Sequence, residues 1–222
     1  MPNLNFRQLW RYEDDFIHGV QVTLLLTLVA VAAGLIIGLV CAVLSSNRHT
    51  AVRLVVRSYV EAIRNTPVLI QLFLIFFVLP YAGLKFPPFY AASIALSLNM
   101  GAYSTEIIRG GLASIPKSQR EAGQCLGLTG WQVFYHVILP PALRNIYPSL
   151  TSQIVLLFLG TSVASQVSAP ELFHVASFVD SRTYRSFETY LVMCGIYFAL
   201  VIVFRIIFAV IGRLAFRWPN GR

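Results

Sequence analysis

Residues 121–140 have the sequence EAGQCLGLTGWQVFYHVILP, a polar stretch punctuated by glycines between long apolar runs. Ser118 precedes Glu121 by three residues, a spacing that allows a capping box at the start of a short helix. Gly127 and Gly130 are expected to end that helix, because glycine readily adopts the left-handed conformation found at helix C-termini. The stretch therefore predicts a short helix bounded by turns and lying at a membrane surface.

Two consecutive prolines, Pro140 and Pro141, close this stretch. Proline has no backbone N–H, and its ring clashes with the preceding turn of an α-helix. We therefore expect a break between the short helix and the apolar run that follows it.

The composition indicates a membrane protein. Of the 222 residues, 57% are hydrophobic and only 12% are charged, whereas about a quarter of residues are charged in an average soluble domain. The net charge of +8 does not indicate a nucleic-acid-binding protein, because the basic residues are spread along the chain near the ends of apolar runs. Three scattered cysteines and four scattered histidines give neither a disulfide framework nor a metal-ligand spacing.

Apolar runs predict an all-α membrane protein with five transmembrane helices. An N-terminal external segment, residues 1–15, precedes a transmembrane domain of residues 16–216, and residues 217–222 form a C-terminal tail in which Trp218 is an expected interface anchor. A loop of residues 112–141 contains the polar stretch. The predicted spans are residues 16–44, 54–81, 89–108, 142–167 and 187–216.

The distribution of lysine and arginine predicts the orientation of these spans. Ten basic residues fall in the loops after the first and third spans and in the tail, whereas five fall in the alternating segments. Cytoplasmic loops of membrane proteins carry the excess of positive charge. The N-terminus is therefore expected outside, and the C-terminus and the loop 112–141 in the cytoplasm.

The stretch that begins at Glu121 resembles the EAA loop of ABC-importer permeases. The family pattern is Glu-Ala-Ala, three residues, Gly, nine residues, Ile, one residue and Leu-Pro. Gly123 stands in place of the second alanine and Val137 in place of the isoleucine. The resemblance implies a coupling helix that docks on a cytosolic ATPase; an ordinary cytosolic turn is the alternative. The expected coupling residues are Glu121, Ala122, Gly123, Gly127, Leu139 and Pro140.

Two further segments resemble permeases of the polar amino-acid uptake family, the His/Glu/Gln/Arg type. Residues 61–71, EAIRNTPVLIQ, are similar to the family form ExxRNTPLLVQ. Residues 102–122, AYSTEIIRGGLASIPKSQREA, are similar to AYxxEIxRGGIxSIPKGQxEA. The segment 61–71 separates the polar amino-acid family from other ABC permeases.

This resemblance implies the ABC type I importer permease fold and alternating access driven by ATP. The implied partners are ABC ATPase subunits, a second permease subunit that is identical or paralogous, an external substrate-binding protein, and the lipid bilayer of a bacterial cytoplasmic membrane. ATP and magnesium would bind the ATPase, and no cofactor is expected on this chain. The implied substrate is a polar amino acid. Our preference is glutamate or aspartate, because residues 142–167 contain no acidic residue; glutamine, histidine and basic amino acids stay open.

Charged residues three positions apart predict ion pairs on single helix faces, where such neighbours meet. Glu61 and Arg64 form one such pair, and Glu106 and Arg109 form another. We expect these pairs to have structural roles and to hold helices together. Arg205, inside the last predicted span, is expected to lie near a polar path or to pair with Glu61 or Glu106.

Several glycines and prolines predict where helices end. Pro67 is expected to kink or restart the helix in the second span, and Pro116 to interrupt the chain before the coupling stretch. Gly110 and Gly111 are expected to end the third span. The charged segment 169–189 is interpreted as a loop.

Small polar side chains in the fourth span are candidates for a substrate path, because polar groups at membrane depth need partners. The candidates are Gln153, Thr161, Ser162 and Ser165. The family usually has Lys-Asp/Asn-Ser/Thr-Ser-Leu where this chain has residues 159–163, LGTSV, so the lysine and the acidic or amide residue are missing. Hydroxyls that bond only to backbone carbonyls are the alternative interpretation.

The chain has no GxxxxGK[ST] phosphate-binding loop, so ATP hydrolysis must belong to another polypeptide. It also has no GxSxG or HExxH motif, and we therefore predict a permease subunit and not an enzyme. An ATP-independent secondary transporter is the alternative function, although no internal repeat supports it. A membrane scaffold would leave residues 121–140 unexplained.

Overall fold

The computed structural model describes residues 4–216, and within that range every regular element is helical. The predictions for residues 217–222, including Trp218 and the tail, lie outside the described residues. A short 3₁₀ segment, Phe6–Tyr12, precedes the first α-helix. The α-helices are α1 (Glu13–Leu44), α2 (Thr50–Arg64), α3 (Val68–Phe73), α4 (Pro88–Ala113), α5 (Lys117–Cys125), α6 (Gly130–Gln132), α7 (Leu139–Gly160), α8 (Leu172–Thr183) and α9 (Ser186–Ala215).

Three helical stretches of the described chain are long and apolar enough to cross a membrane: Phe6–Leu44, Gly130–Val167 and Ser186–Ala215. The predicted second span is not one straight helix. Its two halves, Thr50–Arg64 and Val68–Ala82, meet at an angle of 108°. Counting this bent pair as one span gives four, so the five spans predicted from the sequence are not all reproduced by length and composition.

Helix α4, the predicted third span, is less apolar because protein rather than lipid surrounds much of it. Twelve of its 26 residues are buried, and many of these are alanine, serine, threonine or glycine. Small residues on α1 allow close contact: a Cβ added at Gly34 or Gly38 would lie 2.5 Å from the Cβ of Met100 or Ser104. Serine hydroxyls on α4 donate to carbonyls four residues earlier, as Ser97 does to Ser93. Helix α4 is thus the centre of the bundle, between α1 and α7.

The glycines near the end of α4 do not terminate it. Gly110 and Gly111 lie inside the helix, which continues to Ala113 and is capped by Ser114. Gly111 is buried, and an added Cβ would overlap the Cγ1 atom of Ile146 on α7. This glycine therefore permits a close contact between two helices, and the prediction that it ends the helix is wrong.

The two prolines at the end of the coupling stretch do not break the helix. A π-helical segment, Val133–Ile138, joins α6 to α7, and Pro140 occupies the first turn of α7. The backbone N–H of Leu139 donates to the carbonyl of Phe134, five residues earlier. The five-residue hydrogen bonds of the π-helical segment lead directly up to Pro140, so the helix passes the prolines with a local change of hydrogen-bond pattern. The expected break before the fourth span is therefore wrong, and that span begins at Gly130.

The segment 169–189, interpreted as a loop, contains helix α8. Glu171 caps the helix: its carboxylate accepts hydrogen bonds from the backbone N–H groups of Phe173 and His174 at 2.9 and 2.7 Å. Tyr184 ends α8 with a positive φ of 54°. The sequence analysis missed this helix because the segment is rich in charged residues. Its apolar face is buried and packs against α1 and α9.

Candidate functional site

The coupling stretch forms helix α5, which begins after Pro116 and ends at Cys125. No side chain caps its N-terminus, so the predicted capping box of Ser118 and Glu121 is not formed. Gly127 has a φ of 78°, and its N–H donates to the carbonyl of Gln124 at 2.9 Å. The following N–H, of Leu128, donates to Gly123 at 3.2 Å. The structure therefore places Gly127 at the C-terminal turn that the sequence predicts.

The turn after α5 contains a capping box that the sequence analysis missed. The Thr129 hydroxyl accepts the backbone N–H of Gln132, and the Gln132 side chain accepts the backbone N–H of Thr129 at 2.9 Å. The spacing Thr-x-x-Gln was the available signal. Gly130 is the first residue of α6, so the prediction that it ends a helix is wrong.

Helix α5 packs against the π-helical segment at Gly123, which is the one buried residue of α5. A Cβ added there would lie 3.1 Å from Cγ2 of Val133, which is close to the limit for an alanine. Glu121 and Ala122 stay exposed, and so do the large apolar side chains of Leu126 and Trp131. The predicted residues Leu139 and Pro140 are partly buried at the start of α7 and connect this unit to the long helix.

The bend between α2 and α3 is held by Gln71, which is 6% exposed. Its amide nitrogen donates to the carbonyls of Ile63 and Thr66 at 2.8 and 3.0 Å, and its oxygen accepts from Asn99 of α4 at 3.2 Å. Pro67 stands between the two helices as the N-cap of α3. The restart predicted at Pro67 is therefore present, and Gln71 pairs carbonyls that the interrupted helix leaves open.

A polar cavity of about 620 Å³ lies beside this bend, between α2, α4 and α7. Its apolar lining comes mainly from leucine and valine side chains. This open cavity places hydrogen-bond donors and acceptors beside apolar side chains. Its polar lining residues are Arg64, Asn65, Thr66, Asn99, Tyr103 and Gln153.

One of the four predicted path residues, Gln153, lines this cavity. The other three bond to backbone carbonyls within three residues: Thr161 to Phe158, Ser162 to Leu159, and Ser165 to Ser162. Thr161 is fully buried. The four predicted residues are thus not brought together, and the local-bonding alternative describes the three hydroxyls. Asn99 and Tyr103 were missed, although polar residues in an apolar span were a usable signal.

A cluster of charged residues lies along α2, where this helix faces the C-terminal part of α4. Glu61 pairs with Arg57 at 2.7 Å. The pair of Glu61 and Arg64 that the sequence predicts is therefore not formed. Arg64 instead reaches across to Glu106 of α4 at 3.6 Å. The predicted pair of Glu106 and Arg109 is present at 2.9 Å. These groups line a second cavity of about 580 Å³, to which Arg53 adds a further positive charge.

Arg205 lies apart from this cluster, so the expected pairing with Glu61 or Glu106 is wrong. It lines a groove between α7 and α9 together with Tyr147, Thr151 and Ser152. Within residues 4–216 it forms no ion pair. No group of three histidine, cysteine or acidic side chains in the same range is placed to hold a metal ion.

Comparison with known proteins identifies the class of protein that has this fold. The family described as "Binding-protein-dependent transport system inner membrane component" matches residues 34–217. The L-cystine transport system permease protein TcyB of Bacillus subtilis is 41% identical over 164 residues, 74% of this chain and 70% of the relative. The glutamine transport system permease protein GlnP of Escherichia coli is 33% identical over 197 residues, 88% of this chain and 90% of the relative.

Solved structures agree with this classification. The structure titled "Crystal structure of an amino acid ABC transporter with histidines" superposes with a TM-score of 0.90 at 34% identity, covering 95% of this chain and 99% of the other. A structure of the MetNI methionine ABC transporter has a TM-score of 0.74 at 21% identity, covering 96% and 100%, and shows likeness of fold alone.

The chain belongs to the family of binding-protein-dependent transport system inner membrane components. It is the permease subunit of a polar amino-acid ABC importer, a multi-pass protein of the bacterial inner membrane and not an enzyme. Membership in such a system implies an ATPase and a substrate-binding protein as partners.

Proposed function

We propose that this subunit passes a polar amino acid through the cavity beside the α2–α3 bend, and that α5 couples this movement to an ATPase. The observation that carries the proposal is the cavity itself, in which Arg64, Asn99 and Gln153 line about 620 Å³ between α2, α4 and α7. Exposure of Glu121 and Leu126 on and after α5 supports the coupling role, because a docking surface must be accessible.

We propose a five-span topology with the N-terminus outside and the C-terminus in the cytoplasm. The bent pair α2–α3 and the buried helix α4 supply the two crossings beyond the three straight apolar stretches. The positions of the basic residues support this orientation. A cysteine inserted between Lys85 and Phe86 should react with an impermeant reagent in intact cells, and a cysteine at Ser118 only after permeabilisation. The reverse labelling pattern would overturn the topology and the coupling role together.

The proposed assembly contains two permease subunits, identical or paralogous, two ATPase subunits that bind ATP and Mg²⁺, and an external binding protein. Symmetric pairing supports this arrangement, since a second subunit would line the path from its other side. Dependence of uptake on ATP distinguishes the importer from the secondary transporter considered above.

We propose that a neutral polar amino acid is the first substrate to test. The relatives are named for glutamine and cystine transport, and Asn99 and Gln153 offer neutral amides to the cavity. The preference for glutamate or aspartate has no support from these relatives.

Uptake of labelled amino acids by the complex in proteoliposomes tests the proposal. Gln153→Leu removes a polar group from the cavity and should lower uptake, while ATP hydrolysis continues. Ser162→Ala is the matched control, because the Ser162 hydroxyl bonds only to the nearby carbonyl of Leu159. Normal uptake by Gln153→Leu for every amino acid, or an equal loss in Ser162→Ala, would contradict the proposed path.

A further inference from the structure

Arg64 occupies the boundary between the two cavities described above. It is the last residue of α2, directly before the 108° bend. It lines both the polar cavity of about 620 Å³ and the charged cavity of about 580 Å³. Among the polar and charged residues that line these two cavities, Arg64 is the one that they share.

The contacts of Arg64 are loose enough to exchange. Its nearest guanidinium nitrogen lies 3.6 Å from the Glu106 carboxylate, whereas Arg109 contacts the same carboxylate at 2.9 Å. The Arg64 side chain is 41% exposed, and its guanidinium lies 5.4 Å from the centre of the Tyr103 ring. If Arg64 moved away, Glu106 would still be paired with Arg109. Release of Arg64 therefore leaves no isolated carboxylate, which would be the costly outcome.

The charged cavity that Arg64 lines contains four arginines and two glutamates, so positive charge is in excess there. Glu61 is compensated by Arg57 at 2.7 Å, and Glu106 has two arginine partners. A carboxylate entering the polar cavity would offset part of this excess. Arginine binds carboxylates strongly because its planar group can make two parallel hydrogen bonds.

We propose that Arg64 binds the α-carboxylate of the transported amino acid. As the substrate moves from the polar to the charged cavity, Arg64 releases this carboxylate and pairs again with Glu106. This inference rests on the proposed function. The α-carboxylate is common to all amino acids, so Arg64 holds the substrate in one orientation without selecting its side chain. Asn99 and Gln153 then face the side chain of the amino acid. The ring of Tyr103 lies beside the Arg64 guanidinium and helps to hold it in place.

The test uses the purified permease–ATPase complex without its binding protein, and measures equilibrium binding of the amino acid that the wild-type complex imports. Arg64→Gln should weaken binding by about 10- to 100-fold, the usual effect of losing a hydrogen bond to a charged group. The α-carboxamide of the same amino acid should bind wild type and variant equally. Arg144→Gln is the control, because it also removes one arginine charge, but Arg144 is exposed on α7 and lines neither cavity.

Each outcome decides the matter. Wild-type affinity in Arg64→Gln, or an equal loss in Arg144→Gln, overturns the role of Arg64. A wild-type complex that imports the amino acid but does not bind it without the binding protein overturns that role too. If Arg64→Gln fails to assemble, Arg64→Lys keeps the charge without the planar group and should still lose several-fold in affinity; unchanged affinity there also overturns the role. Absence of ATP-driven amino-acid uptake by the wild-type complex would instead overturn the proposed function itself.

Discussion

The side-chain amide of Gln71 donates a hydrogen bond to the backbone carbonyl of Ile63 at 2.8 Å, across the break between α2 and α3. The same nitrogen bonds to the carbonyl of Thr66 at 3.0 Å. One buried side chain therefore fixes a bend of 108° at the edge of the polar cavity. Since Arg64 and Asn65 lie inside the bend and line that cavity, its geometry positions polar groups along the proposed path.

Gln71→Met should destabilise the bend and reduce transport. Methionine has a similar volume but donates no hydrogen bond, so the two carbonyls lose their partner at a cost of about 1–3 kcal/mol in the free energy of unfolding. Thermal unfolding in detergent and uptake in proteoliposomes measure the two effects. Gln166→Met is the matched control, because Gln166 is exposed and bonds only to the adjacent Ser165 hydroxyl. Equal stability of the two variants would refute the role of Gln71.

Gly111→Ala should destabilise the contact between α4 and α7. The added methyl would overlap Cγ1 of Ile146, and overpacking of this kind costs about 1–3 kcal/mol. Gly110→Ala is the control: nothing lies within 4 Å of its added Cβ, and alanine favours a helix over glycine by about 1 kcal/mol.

Unfolding measurements on Gly111→Ala, Ile146→Ala and the double variant complete this test. Removal of the Ile146 side chain should make Gly111→Ala harmless, which appears as a coupling energy between the two sites. Additive effects would show that the two residues do not restrict each other.

Local signals in the sequence predicted those features that depend on a residue's immediate neighbours. Pro67 restarts a helix and Gly127 adopts a positive φ, because both effects arise from the backbone of the residue itself. Gly111 carries the same local signal as a terminator, but its function is set by Ile146, 35 positions away in sequence (146 − 111). No local rule distinguishes these two uses of glycine.

Local sequence signals also failed to predict the partners of the charged residues and the lining of the candidate site. Glu61 and Arg64 have the spacing of a helical pair, yet Arg64 contacts Glu106 of α4, against which α2 packs. The substrate-path hydroxyls were chosen for their polarity, whereas Gln153 is the one that the packing of α7 aims at the cavity. Partner choice follows from packing, which the sequence pattern did not contain.

Gly127→Val should abolish transport while the protein still inserts in the membrane. Nothing lies within 4 Å of a Cβ added at this position, so the cost comes from the positive φ of 78° and not from crowding. A non-glycine residue in this conformation costs about 1–2 kcal/mol, and more for a β-branched side chain.

Gly130→Ala separates backbone strain from a general effect of replacing a glycine in this loop. Gly130 also has open space around it, but its φ is not positive. Uptake and ATP hydrolysis by the reconstituted complex should therefore be near normal in Gly130→Ala. A transporting Gly127→Val complex would show that the end of α5 does not need this turn for coupling.

Glu171, which is fully buried at the start of α8, should make the stability of the complex depend on pH. Burial raises the pKa of its carboxyl from 4.5 to about 7, against the lowering effect of hydrogen bonds from Phe173, His174 and Tyr197. The folded protein therefore binds this proton more tightly than the unfolded chain does. The stabilisation is fully present below about pH 4.5 and is lost as the pH rises to about 7.

Glu171→Gln removes the proton-binding group but keeps a neutral side chain of the same shape. The difference in unfolding free energy between wild type and this variant should fall by roughly 2–3 kcal/mol between about pH 5 and about pH 8, as expected for a pKa raised by this amount. Thermal unfolding across that range measures it. Tyr197→Phe is a second probe: loss of the hydroxyl that donates to Glu171 at 3.1 Å should extend the wild-type dependence to higher pH. Parallel pH curves for wild type and Glu171→Gln would contradict the raised pKa, since a carboxylate that stays ionised throughout adds no slope.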